Sequence, residues 1–405
     1  MPKLAICGGT PLRTAKYPGW TVYTQRDRDM LSMAFGETDR SSRGRFNREF
    51  REKFAAYSGV KHCFTVANGT VSIEMILRAL GIGYGDEVIV TPYTFIASVS
   101  SLIYAGVRPV FADVDPDTYQ LSPEAAEKAI TPKTKAIMPV YVGGCPDRLD
   151  AFAEICSRHG LALIGDAAQA VGARYGGKGV ASYAAATSIS CQNSKNLNSG
   201  EGGIILTDDD ALADRLSATA NLGADPSGRR SFVGLDNGMS EFQAAILLSQ
   251  LEALDSQIRT RSANGAYLDK KLSELGFIKT LRRDPRLDVN AFHLYMFGLR
   301  EEMLDGVGLE EFLEAVRAEG APVTSGYKPV CAFPCMSGAY VTKCVGAGLD
   351  LHPDIPSAER ISAHEACWIY QSRLLGTEKD MDDITNALVK VYENLDELKE
   401  RRNAR

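Results

Sequence analysis

A lone cation, Lys195, stands at the mouth of a polar, glycine-rich turn in "SISCQNSKNLNSGEGG" (188–203). Ile189, with Ser188 and Ser190 on either side, reads as a strand running into that turn. A lysine placed there can be a solvated loop residue, a phosphate ligand or the amine of a Schiff base. Two other stretches bear on the choice. Asp166 follows the apolar run "LALIG" (161–165), where open α/β sheets present functional groups, although an aspartate there also reads as a helix N-cap. "VANGTVSIE" (66–74) ends a strand, turns at Asn68-Gly69-Thr70 and opens a helix. Unsatisfied N–H groups at a helix start attract anions, and glycine lets a phosphate come close; alone, an Asn-Gly pair also reads as a tight turn.

The three features gain meaning from their order. An anion seat at Gly69-Thr70, a carboxylate at Asp166 and a lysine at Lys195 each follow a strand of one expected sheet. A pyridoxal 5′-phosphate (PLP) enzyme needs this set. Lysine forms the Schiff base, a carboxylate keeps the pyridine nitrogen protonated, and helix-terminus amides and hydroxyls take the phosphate. The opening "LAICGGTPLR" is also strand-then-glycine, but it lacks the G-x-G-x-x-G spacing and the later acidic residue of a dinucleotide site.

Such a set must be carried by alternating elements, and the sequence alternates. Strand-like segments fall at 63–67, 87–92, 109–114, 135–142, 161–165, 187–192 and 203–208, with helix-like segments at 70–80, 95–106, 122–130 and 147–160. Regular alternation with apolar strands predicts a mainly parallel sheet covered by helices on both faces. A long helical pattern over 239–265 follows, then "HLYMFGL" (293–299) and helices near 308–319 and 379–400. The expected organisation is an N-terminal arm and large PLP-binding domain over 1–262, and a smaller α+β domain over 263–405, hinged on the long helix.

Composition narrows the class. The chain has 405 residues, 45% hydrophobic and 24% charged, with a net charge of −6. That is globular, large enough for two domains, and it disfavours nucleic acid as the partner. The nine cysteines are odd in number and scattered, which fits reduced thiols better than a disulfide framework. Cys331, Cys335 and Cys344 lack a fourth ligand at zinc-like spacing. The N-terminus has no signal-peptide pattern, and the most apolar stretch, 88–106, is interrupted by Pro92. A cytoplasmic enzyme without membrane contact is expected.

The motifs "NGTVSIEMILRALGIGYGDEVIVTPYTFIAS", "TPKTKAIMPVYVGG", "DAAQAVGA", "SCQNSKNLNSGEGGI" and "MSEFQAAILLSQLEALD" resemble the DegT/DnrJ/EryC1/StrS sugar and cyclitol aminotransferases, PLP enzymes of fold type I. The resemblance covers nearly the whole chain and implies that Lys195 is the Schiff-base lysine. By the same resemblance Asp166 faces the pyridine nitrogen, and Gly69, Thr70 and Ser190 hold the phosphate. Phe95 stacks on the ring, and Gln169 sits near its hydroxyl. Dehydratase members of the family carry histidine where Lys195 stands, so the lysine favours transamination. The opening "GGTPLRTAKYPGWTVYTQRDRDML" and the late "CWIYQSRLLG" are similar to the branch that aminates keto-cyclitols, which also includes 3-amino-5-hydroxybenzoate synthases.

Three departures stand out. The family's Asn-x-Arg before "FQAA", whose Asn reaches the neighbouring subunit's phosphate, aligns with Asp236 and Gly238. Either Asn237 takes that role by a local shift, or the phosphate is held differently. The branch's pair of late histidines is Tyr370-Gln371 here, so substrate hydrogen bonding is expected to differ. "SYAAAT" replaces a Gly-Asp before the lysine strand, which reads as a packing change. His293 matches a recurrent family histidine and either lines the site or packs the core. Trp20 and Tyr23 either reach a substrate pocket or pin down the arm.

The resemblance therefore implies a homodimeric, ping-pong aminotransferase. It would move an amino group from glutamine or glutamate to a keto-cyclitol or keto-sugar. The alternatives are a PLP-dependent dehydratase or lyase on the same scaffold, a nucleotide-sugar aminotransferase, and a non-catalytic PLP protein. The last would typically have lost Asp166 or Lys195, and neither is lost.

Overall fold

The computed structural model describes residues 2–224, 227–230, 233–346 and 348–403. Two helices, α1 (Gln25–Gly36) and α2 (Arg45–Ser58), precede strand β1 (His62–Val66). Alternation then runs through α3 (Gly69–Leu80), β2 (Glu87–Val90), α4 (Ala97–Tyr104), β3 (Arg108–Phe111), α5 (Pro123–Lys128), β4 (Thr134–Met138), α6 (Leu149–His159) and β5 (Ala162–Asp166). A short hairpin, β6 (Arg174–Tyr175) and β7 (Lys178–Gly179), leads to β8 (Ala186–Ser190), β9 (Gly203–Thr207) and α7 (Asp210–Ala220).

Seven of these strands form one sheet in the order β1-β9-β8-β5-β4-β2-β3. The pairs β2–β3, β2–β4, β4–β5 and β5–β8 are parallel, and β9 runs against both β8 and β1. The mainly parallel sheet expected from the alternation is present. Its central strands are buried along their length, as both-face coverage by helices requires. In α3, Gly69, Ser72, Ile73, Ile76 and Leu77 are buried at a helical 3–4 spacing, which turns one face onto the sheet. Asn68 caps this helix by accepting the Val71 N–H at 2.9 Å, and Gly81 ends it in the left-handed region that glycine adopts without strain.

The long helix α8 (Glu241–Ser273) begins with a Ser240–Gln243 capping box and runs eight residues past the expected end at 265. Beyond it come β10 (Ile278–Thr280), β11 (Leu287–Val289), β12 (Leu294–Leu299), α9 (Leu309–Ala318), β13 (Val323–Ser325), α10 (Ala339–Val345), α11 (Pro356–Arg360), β14 (Ala366–Tyr370), α12 (Glu378–Tyr392) and α13 (Leu395–Asn403). A second, wholly antiparallel sheet has the order β10-β12-β14-β13, and β11 crosses back to pair with β6. The single helix expected near 379–400 is two helices. Asn394 separates them: its Nδ2 donates to the Lys390 carbonyl at 2.7 Å, a local bond that competes with the helix ladder. Among the described residues no helix is long and apolar enough to cross a membrane, and no cluster of three or more ligating side chains could hold a metal ion.

Candidate active site

The carboxyl ends of β1, β2, β5 and β8 lie along one end of the sheet, and the loops leaving them carry the polar residues singled out from the sequence. The first contact is between Gly69 and Ser190. A Cβ added at Gly69 would lie 2.8 Å from the Ser190 Cβ, so only glycine lets the start of α3 close onto the end of β8. Gly203 is required in the same way, because a Cβ there would meet the Asn68 carbonyl oxygen at 2.3 Å. Asn68 satisfies the Val71 amide, which leaves the first amides of α3, those of Gly69 and Thr70, pointing out of the helix end. Ser190 Oγ accepts the Gln192 N–H at 3.3 Å and keeps its own hydrogen to donate. Two amides and a hydroxyl thus converge as an anion seat.

Asp166 closes β5 and is 3% exposed. Ser98 Oγ, from α4, donates to its Oδ2 at 2.7 Å, and the Ala168 N–H donates to Oδ1 at 3.1 Å. Burial raises the Asp166 pKa, and these two bonds and the charge of Lys195 oppose the rise. A buried carboxyl whose charged form these neighbours favour is a strong acceptor for a cationic N–H arriving in the site.

Lys195 sits in a loop tied to itself. Its N–H donates to the Gln192 carbonyl at 2.8 Å, Asn193 N–H to Gly200 at 2.9 Å and Cys191 N–H to Gly202 at 2.8 Å. Gln192 Oε1 accepts both the N–H and the hydroxyl of Ser194 at 2.8 Å. Burial pulls the Lys195 pKa down to about 8, against the attraction of Asp166. A lysine so placed is partly neutral near physiological pH and able to act as a nucleophile or base.

Gln169 is buried, its Oε1 accepting the Gly143 N–H at 2.7 Å and its Nε2 donating to Tyr327 Oη at 2.9 Å. Phe95 is 55% exposed just before α4, with its ring free of the core. His293 is buried. Its Nδ1 lies 3.3 Å from Asn196 Oδ1, while Asn196 Nδ2 donates to the Ala291 carbonyl at 2.7 Å. Burial, then the charges of Lys195 and Arg261, hold the His293 imidazole well below its usual pKa, so it is neutral and donates from Nδ1.

The arm reaches this place. Trp20 Nε1 donates to the Asn193 carbonyl at 3.0 Å in the lysine loop, while Tyr23 is exposed. Tyr370 is exposed too, whereas Gln371 is 2% exposed and turned inward. The Asn237 carbonyl accepts the Ala67 N–H at 2.8 Å; Asn237 is half-buried and Asp236 exposed.

Four residues near the site carried no sequence signal that singled them out: Ser98, Asn196, Arg261 and Tyr327. Ser98 is one of three serines in its helix, at 98, 100 and 101, and nothing local marks the one that meets Asp166. Tyr327 arrives from the second sheet, a juxtaposition only the tertiary fold creates.

Comparison with known proteins follows the same lines. An L-glutamine:2-deoxy-scyllo-inosose aminotransferase from Micromonospora echinospora is 36% identical over 426 residues, covering 98% of this chain and 100% of that one. The crystal structure of 3-amino-5-hydroxybenzoic acid (AHBA) synthase matches with a TM-score of 0.83 at 29% identity, over 94% of this chain and 99% of the other. That of DesI in the presence of its TDP-sugar product matches with a TM-score of 0.86 at 29% identity, over 99% of each. The fold is that of the fold type I PLP-dependent transferases. Residues 25–389 match the DegT/DnrJ/EryC1/StrS aminotransferase family over most of the chain's length, and the chain belongs to that family as an aminotransferase.

Proposed function

We propose that this aminotransferase carries pyridoxal 5′-phosphate on Lys195 and transfers an amino group from L-glutamine to a keto-cyclitol. The observation that carries the reading is the pairing of Asp166 and Lys195. They are two oppositely charged groups with burial-shifted pKa values, beside a built anion seat. These residues fit the cofactor. Gly69, Thr70 and Ser190 suit its phosphate, Asp166 its ring nitrogen, Gln169 its ring hydroxyl, and the free ring of Phe95 its face. When bound, the cofactor supplies an electron sink for a carbanion beside the amino nitrogen.

The protein's part is positional and acid–base. With the cofactor bound, Asp166 would hold the proton of the ring nitrogen. Lys195 would move a proton off the donor's α-carbon and later deliver one to the acceptor's former carbonyl carbon. Burial lowers the lysine's pKa toward the range that such two-way transfer needs. The two half-reactions share one site, so the kinetics are ping-pong.

Glutamine and a cyclitol are favoured over other substrates by the Micromonospora echinospora relative, an L-glutamine:2-deoxy-scyllo-inosose aminotransferase that aligns along its whole length. The likeness to AHBA synthase favours a second reading, a dehydratase or lyase, and that to DesI a nucleotide-linked keto-sugar. One experiment separates them. Holoenzyme is converted with L-glutamine in a single turnover, and candidate ketones are added. Return of the starting visible spectrum with a keto-cyclitol, and not with a TDP-linked keto-sugar, is expected. Turnover without any amino donor would overturn transamination as the main reaction.

The same reading gives the chain two lobes, 1–262 and 263–405, hinged within α8. The seven-stranded sheet in the first and the four-stranded sheet in the second support this, with the β11–β6 pair as the strand contact between them. It also makes the working unit a homodimer in the cytoplasm. The exposed apolar side chains of Phe35, Val233 and Leu235, near the Asn237 segment, support a covered face there. Within that dimer Asn237 serves the partner's cofactor phosphate and Asp236 faces away. Light scattering at micromolar protein should return twice the chain mass.

A further inference from the structure

Arg261, in α8, is fully buried. Among the described residues it has no carboxylate partner, and its Nη1 has no hydrogen-bond partner at all. Burial alone pulls its pKa down to about 9, with no neighbouring anion opposing. The Trp20 ring covers it, 5.3 Å from the guanidinium carbon. An uncompensated buried cation is costly, and a fold that keeps one needs a reason.

The reason lies in what the guanidinium touches. Nη2 donates to Gln371 Oε1 at 2.6 Å and to Gln257 Oε1 at 3.2 Å, and Nε donates to the Gln371 carbonyl at 3.4 Å. A carboxamide gripped by its oxygen cannot flip, so the Gln371 Nε2 is committed to the Ser194 carbonyl, 3.5 Å away. Gln371 N–H donates to the His293 carbonyl at 3.0 Å, and His293 in turn holds Asn196. The residues on either side of Lys195 are therefore both held from the ends of the second sheet's inner strands, β12 and β14. Glutamate at 371 would pair better with Arg261, but it would set oxygen against the Ser194 oxygen. Only a carboxamide serves a cation on one side and a carbonyl on the other.

We propose that Arg261 is a positioning residue for Lys195: it locks the Gln371 carboxamide against Ser194, so that the second sheet fixes the lysine loop opposite Asp166. This rests on the reading of Lys195 as the cofactor-bearing lysine. Failure of that reading is recognised separately, by borohydride reduction of the wild-type holoenzyme fixing the cofactor on a different peptide.

The test compares Gln371→Glu and Arg261→Met with wild type. Thermal midpoints are read on the apoproteins, together with the rate at which Lys195 is reductively methylated, followed by peptide mass spectrometry. Cofactor release is read on the holoproteins. Gln371→Glu gives the buried cation a counterion, so its midpoint should be unchanged or raised. Lys195 methylation and cofactor release should nonetheless each quicken about tenfold, the worth of one hydrogen bond to a buried acceptor. Arg261→Met should show the same two increases, and Arg261→Lys, which can still donate to Oε1, should partly reverse them. A Gln371→Glu protein that methylates and releases cofactor within about twofold of wild type, or one less stable than wild type, would overturn the proposal.

Discussion

Ser98 and Asp166 are joined by a 2.7 Å hydrogen bond between α4 and the end of β5, inside a site where the carboxylate is almost wholly removed from water. Ser98 Oγ lies also 3.0 Å from Thr94 Oγ1, so the hydroxyl is oriented rather than free to rotate. A donor to the charged form keeps a buried carboxylate ionised. Ser98→Ala should therefore raise the Asp166 pKa further and weaken its hold on a cationic ring nitrogen. The expected loss in kcat/KM is about tenfold, with the acid limb of the pH profile moved upward. An unshifted acid limb would show that Ser98 only packs the helix.

Asp166→Asn removes the charge and keeps the shape. The Ser98 and Ala168 donors lose an ionised acceptor, but the cost of burying the charge goes with it, so the thermal midpoint should be kept. Loss of the charged ring-nitrogen partner should lower turnover by at least about a hundredfold. Near-wild-type turnover would reduce Asp166 to a helix-capping aspartate.

The sheet and the site differed in how far the sequence disclosed them. Alternating apolar runs and polar turns are local signals, and strands such as "EVIVTP" and "LALIG" were legible because both faces are buried. The break at Asn394 was not, because an apolar period continues through it and only a side-chain bond interrupts the ladder. Gly69, Asp166 and Lys195 stood out as types at spacings after strands, and Ser190 only through the family resemblance. The inward turn of Gln371 was not legible, because a residue after a strand end can point either way and only Arg261 and Ser194 decide it. Ser98 and Tyr327 are ordinary residues locally, made special by the elements the fold brings beside them.

The depressed Lys195 pKa has a consequence for the apoprotein. The unfolded chain holds the lysine proton up to about 10.5, whereas the folded chain gives it up near 8. Between these values the unfolded state binds more protons, so stability rises with pH across this window, and below about 8 the buried ammonium is a standing cost. Apo Lys195→Met should exceed apo wild type in thermal midpoint at pH 7, and the gap should shrink as pH rises from 8 toward 10. A gap that is constant or widens would mean that the lysine is solvated.

Gly69→Ala tests the anion seat. Alanine favours a helix more than glycine does, so propensity alone predicts a gain in stability. The added methyl would stand 2.8 Å from the Ser190 Cβ and push the helix start away from β8. Cofactor affinity, followed by absorbance titration of the apoprotein, should fall about tenfold, the loss of one good phosphate contact. Unchanged affinity would place the phosphate elsewhere.

The segment before α8 gives the last test. Asp236 is exposed, Asn237 is half-buried, and the Asn237 carbonyl is fixed by the Ala67 N–H beside the Asn68–Gly69 turn. Gly238 cannot carry the family's arginine in this backbone, since even a Cβ there would lie 2.3 Å from the Ser42 Cβ. That arginine is absent, and a carboxylate placed at the phosphate would be repelled by it. Two unit charges about 4 Å apart at an effective dielectric near 20 repel by roughly 4 kcal/mol. Asn237, which is neutral and can donate, is the residue that can face the partner's phosphate. Asn237→Ala should weaken cofactor retention about tenfold, the cost of one charge-assisted bond, while Asp236→Asn should leave it within about twofold. Mixing Asn237→Ala with Lys195→Ala protein gives heterodimers in which one site keeps Lys195 and receives the partner's Asn237. That site should hold cofactor like wild type, with half the chains loaded. Retention that instead follows Asn237 of the same chain would show that each subunit serves its own phosphate.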